Sequence, residues 1–260
     1  MAANVAAVWR CRYFWLSLVR MDLANRYRRS ALGLGWSLLQ PLLLTLIVYT
    51  VFRDVLTLNA KSYALLVLTG LVVWNYVTSV TSQGCQCFLI AEAYLRQCPA
   101  PLAIFPLRTA LGGLVHFLLA LLVVLGTAGI TVGLPGPLAL ASLAVGVALL
   151  FALAWALALL AGLANVVFRD TEHLIQSAFQ GLFYVTPIIY PAEMLAQFNL
   201  SWLLRLNPLV AFLELLREPL VNGRVAEWPA FAVAAGTVAV LAAAALAALK
   251  RCEKRLIFHL

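Results

Sequence analysis

The chain has 260 residues, of which 64% are hydrophobic and only 11% carry a charge. Soluble globular proteins have about 25% charged residues, so this chain has too little polar surface to cover a water-soluble globule. Its long apolar runs are rich in Leu, Ala and Phe and lack the alternation over about ten residues that outer-membrane barrels show. The composition therefore predicts an all-α integral membrane protein.

The first predicted element is an amphipathic helix ahead of the first long apolar run. Leu16, Val19, Leu23 and Tyr27 recur at helical spacing, and Trp15 supplies an aromatic ring of the kind found at headgroup level. Two arginines interrupt this apolar face. Two interpretations stay open, a helix lying in the membrane interface and a helix docked on the cytoplasmic side of the protein.

Six apolar segments are long enough to cross a bilayer, whose hydrocarbon core needs roughly 17–25 helical residues. The sequence Gly-Leu-Pro-Gly-Pro between the third and fourth is typical of a tight turn, so these two should form a hairpin. The predicted spans are Trp36–Phe52, Tyr63–Gln83, Ile104–Val132, Leu138–Val167, Leu174–Tyr190 and Pro229–Leu249. We accordingly divide the chain into an interface helix with a basic lead-in (1–35), a six-span transmembrane domain (36–250) and a cytoplasmic tail (251–260).

The long segment between the fifth and sixth predicted spans is too apolar for a solvated loop. Residues 192–198 and 208–218 have helical patterns that are too short to cross the membrane. We expect re-entrant helices here, because non-helical backbone at membrane depth is tolerated only against protein or a water-filled cavity.

Positive charge falls mainly on one side of this predicted topology. Six spans put both termini on the same side, and 13 of the 18 Lys and Arg residues lie there, whereas the ten acidic residues divide equally. The positive-inside rule makes that side the cytoplasm. We therefore expect a multi-pass membrane protein with both termini in the cytoplasm. The net charge of +8 is explained by topology and by contacts with anionic membrane lipids, and no nucleic-acid partner is expected.

Motifs for catalysis and cofactor binding are few. The chain contains no Gly-Lys pair, so it has no P-loop, and energy from ATP would have to come from another subunit. Cys85 and Cys87 have the wrong spacing for a zinc knuckle, and the five cysteines lie on or near the predicted cytoplasmic side, where disulfides are rare. We expect no metal and no cofactor in this chain. No predicted span carries a charge in its middle, which disfavours an ion or proton relay.

Uncharged polar side chains share one face of several predicted spans. Asn75, Ser79 and Ser82 recur at helical spacing in the second span, and Gln176 and Tyr184 do so in the fifth. Two interpretations stay open, hydrogen bonds between packed helices and the lining of a channel for a hydroxyl-rich substrate. The candidate channel-lining residues are Gln40, Tyr49, Asn75, Ser79, Ser82, Gln176, Phe183 and Tyr184.

Three motifs spread along the chain resemble one family. They are DLANRYRRSALGLGWSLLQPLL (residues 22–43), FRDTEHLIQSAFQGLFYVTPIIYP (168–191) and LLRLNPLVAFLELLRE (203–218). Their order and spacing are similar to those of the ABC-2 type membrane subunits that export O-antigen, capsule or teichoic acid. The resemblance implies a homodimer of six-span subunits with two copies of an ATP-binding subunit, which would hold ATP and Mg. The substrate would be a lipid-linked polysaccharide.

The resemblance also implies roles for two sets of residues. Arg26, Arg28 and Arg29 would lie near the pyrophosphate of the lipid-linked substrate, and guanidinium groups do bind phosphate in a bidentate manner. The same arginines also serve as a topology anchor, and whether they do both stays open. Contact with the ATP-binding subunit would involve a coupling segment and the turn before the fifth span, with the candidate residues Glu92, Tyr94, Arg96, Pro99, Arg169 and Asp170.

Two other functions are weighed against a polysaccharide permease. An ABC-2 exporter of a drug or a lipid would share the motifs. A membrane enzyme that modifies lipids or glycans would need clustered acids and bases. Asp170, Glu172 and His173 are adjacent in sequence, but neighbouring positions on a helix diverge, so they form a poor catalytic set.

Overall fold

The structure is a computed structural model, and all of its regular elements are helical, which confirms the all-α prediction. It describes residues 8–27, 33–52, 60–97, 101–197 and 201–259. The helices are α1 (Arg12–Tyr27), α2 (Trp36–Phe52), α3 (Ala60–Gln97), α4 (Ile104–Thr131), α5 (Pro137–Val167), α6 (Thr171–Val185), α7 (Ala192–Gln197), α8 (Ser201–Leu206), α9 (Leu209–Arg217) and α10 (Trp228–His259).

Within the described residues, four helices are long and apolar enough to cross a membrane. Their apolar stretches are Tyr63–Glu92 in α3, Ile104–Thr131 in α4, Pro137–Val167 in α5 and Trp228–Cys252 in α10. They correspond to the second, third, fourth and sixth predicted spans. The first and fifth predicted spans are the helices α2 and α6, which have 17 and 15 residues. Membrane character is thus confirmed, and the count of six spans stays a prediction.

Two predicted boundaries were wrong. We expected the second span to end at Gln83, but α3 continues for 38 residues to Gln97. The added residues are good helix formers such as Ala, Leu, Glu and Arg, and no Pro interrupts them. We expected the fifth span to reach Tyr190, but α6 ends at Val185. Thr186 is extended, with φ −87° and ψ 131°, because a residue before proline disfavours helical backbone.

The centre of the fold is α3, which packs against both α4 and α5. Small residues allow a close crossing with α5. A Cβ added to Gly84 would lie 2.5 Å from Ala158 Cα, and one added to Gly162 would lie 2.8 Å from Cys87 Sγ. Close backbone approach of this kind is a common means of packing helices in membranes. One hydrogen bond, from Asn165 Nδ2 to the Cys85 carbonyl at 2.9 Å, joins the same two helices.

The predicted hairpin between the third and fourth spans is confirmed. The α4 helix ends at Thr131 and α5 begins at Pro137. Gly133 has φ +108°, a conformation open to glycine but costly for other residues. Pro137 occupies the first helical position, where its missing N–H costs nothing.

The segment after α6 folds into a compact cluster of short helices. Asn207 Nδ2 donates to Thr186 Oγ1 at 2.8 Å, and Asn207 Oδ1 accepts from the Leu209 amide at 3.0 Å. These bonds tie the end of α6 to the start of α9. Phe212 and Leu215 on α9 are fully buried, so α9 is part of the core. The α8 helix was not predicted, and the depth of this segment in a membrane stays a prediction.

Candidate functional site

Three adjoining cavities lie along α3. The inner cavity, of about 460 Å³, lies between α1, α3, α4 and the start of α6. The central cavity, of about 310 Å³, lies between α2, α3 and α4. The lateral cavity, of about 320 Å³, lies between α3 and α6. Ser82 contributes to the wall of all three, so we treat them as one site.

The inner cavity carries the charged residues. Arg108 donates from Nε and Nη2 to the two carboxylate oxygens of Asp22, which joins α4 to α1. The Arg108 side chain is 11% exposed and that of Asp22 is 41% exposed. Glu172, in the first turn of α6, accepts a hydrogen bond from Gln86 Nε2 on α3. Gln176 Nε2 lies 3.5 Å from the other carboxylate oxygen of Glu172.

The central cavity is lined by uncharged polar groups. Ser79 and Thr78 donate their hydroxyl protons to carbonyls of α3 itself, at 3.2 and 2.9 Å. Their oxygens keep lone pairs that can accept hydrogen bonds from a substrate. Asn75 and Gln40 add amide groups that donate and accept. His116 reaches this wall from α4 and also lines the inner cavity.

The lateral cavity combines aromatic rings with amides. Trp74 contacts Phe179 and Phe183 edge to face, with ring centroids 5.7 Å apart in both pairs. Tyr184 stands beside Phe183 at 5.5 Å and is 67% exposed. Amide groups and aromatic faces suit a ligand rich in hydroxyl groups and C–H surfaces. None of the α6 residues is buried, so this helix leaves the cavity open along one edge.

The structure brings together seven of the eight predicted lining residues. Gln40 and Ser79 line the central cavity, and Asn75 lines both the central and the lateral cavity. The predicted residues of the lateral cavity are Gln176, Phe183 and Tyr184, and Ser82 lines all three cavities. The Tyr49 side chain lies outside the described residues. That these residues line a transport channel stays a prediction.

Sequence reasoning missed the contribution of α4. Gly112 and His116 line the inner cavity, and Gly113 and His116 line the central cavity. It also missed the Asp22–Arg108 pair, whose members are 86 residues apart. The sequence contains only a weak signal for this face of α4. Thr109, Gly112 and His116 recur at helical spacing, which indicates a small and polar face on α4.

The described members of the predicted coupling set, Glu92, Tyr94, Arg169 and Asp170, lie at one end of the fold. Glu92 and Tyr94 belong to the last turns of α3, and the Tyr94 ring meets Phe14 of α1 at 6.2 Å. Arg169 and Asp170 are exposed in the turn between α5 and α6. Their contact with another subunit stays a prediction. The Arg96 side chain and Pro99 lie outside the described residues, as do Arg28, Arg29 and the Arg26 side chain.

Comparison with known proteins assigns the family. The family model described as "ABC-2 type transporter" matches residues 13–221. The chain belongs to the ABC-2 type transporter family. This confirms the resemblance seen in the three motifs. Since the members of this family are transporter membrane subunits, the chain is the membrane part of a transporter and is not by itself an enzyme.

The curated relatives of this ABC-2 protein carry one name. This chain is 27% identical over 209 residues to an "O-antigen export system permease protein RfbA" of Klebsiella pneumoniae, and the match covers 79% of each chain. It is 26% identical over 242 residues to a protein of the same name from Myxococcus xanthus, covering 92% of this chain and 93% of the relative.

Proposed function

We propose that this ABC-2 protein is the permease subunit of an ATP-driven exporter that moves a lipid-linked, O-antigen-like polysaccharide out of the cytoplasm. The observation that carries the proposal is the row of three cavities, whose central and lateral parts have polar, aromatic and uncharged walls. A glycan needs hydrogen-bonding groups without strong charges. The names and the coverage of the curated relatives support the same substrate class.

The proposal includes a six-span topology in the bacterial inner membrane. In it α2 and α6 join the four long helices as spans, both termini are cytoplasmic, and the helices α7–α9 are re-entrant from the outer side. The 17 residues of α2 reach the lower limit for a bilayer span. The excess of positive charge near the termini supports the orientation.

A homodimer would complete the channel. Gln176, Gln180 and Tyr184 are exposed on α6, and polar side chains facing lipid are costly. A second copy placed against α6 would cover these groups and close the lateral cavity. Two copies of an ATP-binding subunit would hold ATP and Mg beneath the dimer.

The sequence-based assignments are part of the same proposal. The coupling residues, from Glu92 to Pro99 and at Arg169 and Asp170, would contact the ATP-binding subunits. The cluster of Arg26, Arg28 and Arg29 would hold the membrane boundary and receive the pyrophosphate of the substrate. An ABC-2 exporter of a drug or another lipid remains the alternative, and its cargo would need less hydrogen bonding than the cavities offer.

Deleting this chain in the bacterium that makes it tests the cargo. We expect polysaccharide to disappear from the cell surface and lipid-linked glycan to accumulate at the cytoplasmic face, as measured by surface labelling and by analysis of extracted lipids. Unchanged surface polysaccharide with increased drug sensitivity would favour the alternative. Gentle solubilisation and mass determination should give two copies of this chain with two ATP-binding subunits. A complex without an ATP-binding subunit in cross-linked membranes would contradict the proposal.

Replacing the polar groups of the cavity wall should reduce transport without unfolding the protein. In Asn75→Leu with Gln176→Leu, both positions stay helical but lose hydrogen bonds to the glycan, and we expect export to fall about tenfold, as the loss of one or two net hydrogen bonds implies. The measurement is the rate at which polysaccharide appears on the cell surface. Asn222→Leu is the matched control, because Asn222 is exposed and lies outside these cavities. Equal export in both variants would rule out the role of the wall.

A further inference from the structure

The charged groups of the site are confined to one cavity. Among the described lining residues, the central and lateral cavities contain no Asp, Glu, Lys or Arg. The inner cavity contains Asp22, Arg108 and Glu172. In the proposed topology this cavity is the cytoplasmic mouth of the site. The distribution places every charged group where cargo would enter and none along the path that follows.

The two carboxylates come from two elements that are loosely packed. Asp22 belongs to α1, in which Leu18 and Val19 are the buried residues, and Glu172 belongs to α6, which has none. Their partners belong to the core helices, in which Phe88 and Phe105 are fully buried. Each contact therefore attaches a peripheral element to a rigid one at the wall of the cavity.

The α6 helix is held firmly at its other end. Asn207 binds Thr186 just after α6, and Arg217 donates to the carbonyls of Pro187 and Ile188. At the inner end, the hydrogen bond that joins α6 to α3 among the described residues is the one between Glu172 and Gln86. A helix anchored at one end and held by a partly buried polar contact at the other can pivot, and its inner end then moves away from α3.

We propose that Asp22–Arg108 and Glu172–Gln86 are two latches that close the cytoplasmic mouth, and that cargo enters when both open. The inference rests on the proposed function, because it takes the inner cavity as the entrance. Asp170 directly precedes α6, and α1 flanks Tyr94 through Phe14. Both latches thus adjoin the segments that would contact the ATP-binding subunit, so movement of that subunit would open them together.

The strength of the contacts suits a reversible latch. Ion pairs that are partly exposed contribute little net stability, so a modest force can separate them. A fully buried pair would be costly to separate, because each charge would lose its partner in a low-dielectric environment. The Asp22 carboxylate is 41% exposed, and it can be rehydrated when the mouth opens.

The test measures access to the central cavity from the cytoplasmic side. A reporter Ser79→Cys is placed in a chain whose five native cysteines are replaced, and inside-out vesicles containing the complete transporter are treated with membrane-impermeant methanethiosulfonates of either charge. We expect Asp22→Ala or Glu172→Ala to increase the labelling rate about tenfold with both reagents, because the open population increases. A cysteine at the exposed Lys250 position, in α10 and away from both latches, serves as the control and should label equally in all variants.

Exchanging the two residues of each contact distinguishes the loss of a latch from a general loss of structure. The pair Asp22→Arg with Arg108→Asp, and the pair Gln86→Glu with Glu172→Gln, rebuild each contact with its ends reversed. We expect both pairs to return the labelling rate to within about twofold of the original. Labelling that is unchanged in the alanine variants would overturn the proposal. So would acceleration of the anionic reagent alone, which would indicate a local charge effect, because each alanine substitution removes a negative charge.

A reversible cross-link tests the proposal even if the alanine variants fail to insert into the membrane. Asp22→Cys with Arg108→Cys in the same cysteine-free background can be oxidised and then reduced. We expect oxidation to stop labelling of a central-cavity cysteine at Asn75 and reduction to restore it. Unchanged labelling in fully cross-linked protein would overturn the latch. These readouts need no cargo, so a failure of polysaccharide export leaves them interpretable, and export with free labelling would contradict the latch alone.

Discussion

Replacing Arg217 with glutamine should release α9 and the end of α6 from the core. The guanidinium of Arg217 donates to the carbonyls of Pro187, Ile188 and Leu66, the last two at 2.8 and 3.2 Å. A glutamine is shorter and cannot reach three carbonyls on two segments. Hydrogen bonds from a charged donor are worth about 1.5–3 kcal/mol each, so we expect the free energy of unfolding to fall by about 3 kcal/mol, measured by thermal unfolding in detergent.

The surroundings of Arg217 provide an independent check. A Cβ added to Gly70 would lie 2.6 Å from Arg217 Nη2 and 2.9 Å from the Ile188 carbonyl. Gly70→Ala should therefore displace the guanidinium and lower stability in the same direction. Arg205→Gln is the matched control, since Arg205 is exposed in α8, and a surface change of this kind is expected to stay within about 0.5 kcal/mol. Similar losses for Arg205 and Arg217 would show that the loss does not depend on these contacts.

A single methyl group at Gly84 should disrupt the crossing of α3 and α5. The added Cβ would meet backbone atoms of Ala158 at 2.5 and 2.9 Å, and backbone atoms cannot move aside as a flexible side chain can. We expect Gly84→Ala to lower the free energy of unfolding by about 1–3 kcal/mol, the usual cost of overpacking. The loss should appear in thermal unfolding and as reduced yield of inserted protein.

A glycine without neighbours gives the comparison for Gly84. Gly126 lies inside α4, and a Cβ built there would meet no atom within 4 Å. Gly126→Ala should leave stability unchanged or raise it, because alanine favours a helix more than glycine does by about 1 kcal/mol. If Gly84→Ala were as stable as Gly126→Ala, the close approach of the two helices would be wrong.

The sequence was informative about the site where the signal is local. Asn75, Ser79 and Ser82 share one face of a helix because of the 3.6-residue period, and all three line the central cavity. Gln176 and Tyr184 follow the same rule in α6. The motifs were local as well, and they led to the family. The helical period could not predict which other helix lies opposite each polar face.

Contacts between distant segments escaped the sequence for a physical reason. The partner of Asp22 is Arg108, and the partner of Glu172 is Gln86. Each pair joins residues 86 positions apart, and no pattern within either segment specifies the other. Arg217 likewise donates to the carbonyls of Pro187, Ile188 and Leu66, and no local pattern in the sequence specifies these partners.

The sequence by itself determined that this protein is helical and belongs in a membrane, and it predicted that most of its positive charges lie on one side. Apolar length, the absence of strand alternation and charge asymmetry are properties of composition and order, and they do not depend on packing. Only the tertiary structure decided which polar faces meet, because this depends on how closely helices approach. Gly84 and Gly162 let α3 and α5 touch, and that contact fixes α3 as the wall around which the three cavities form.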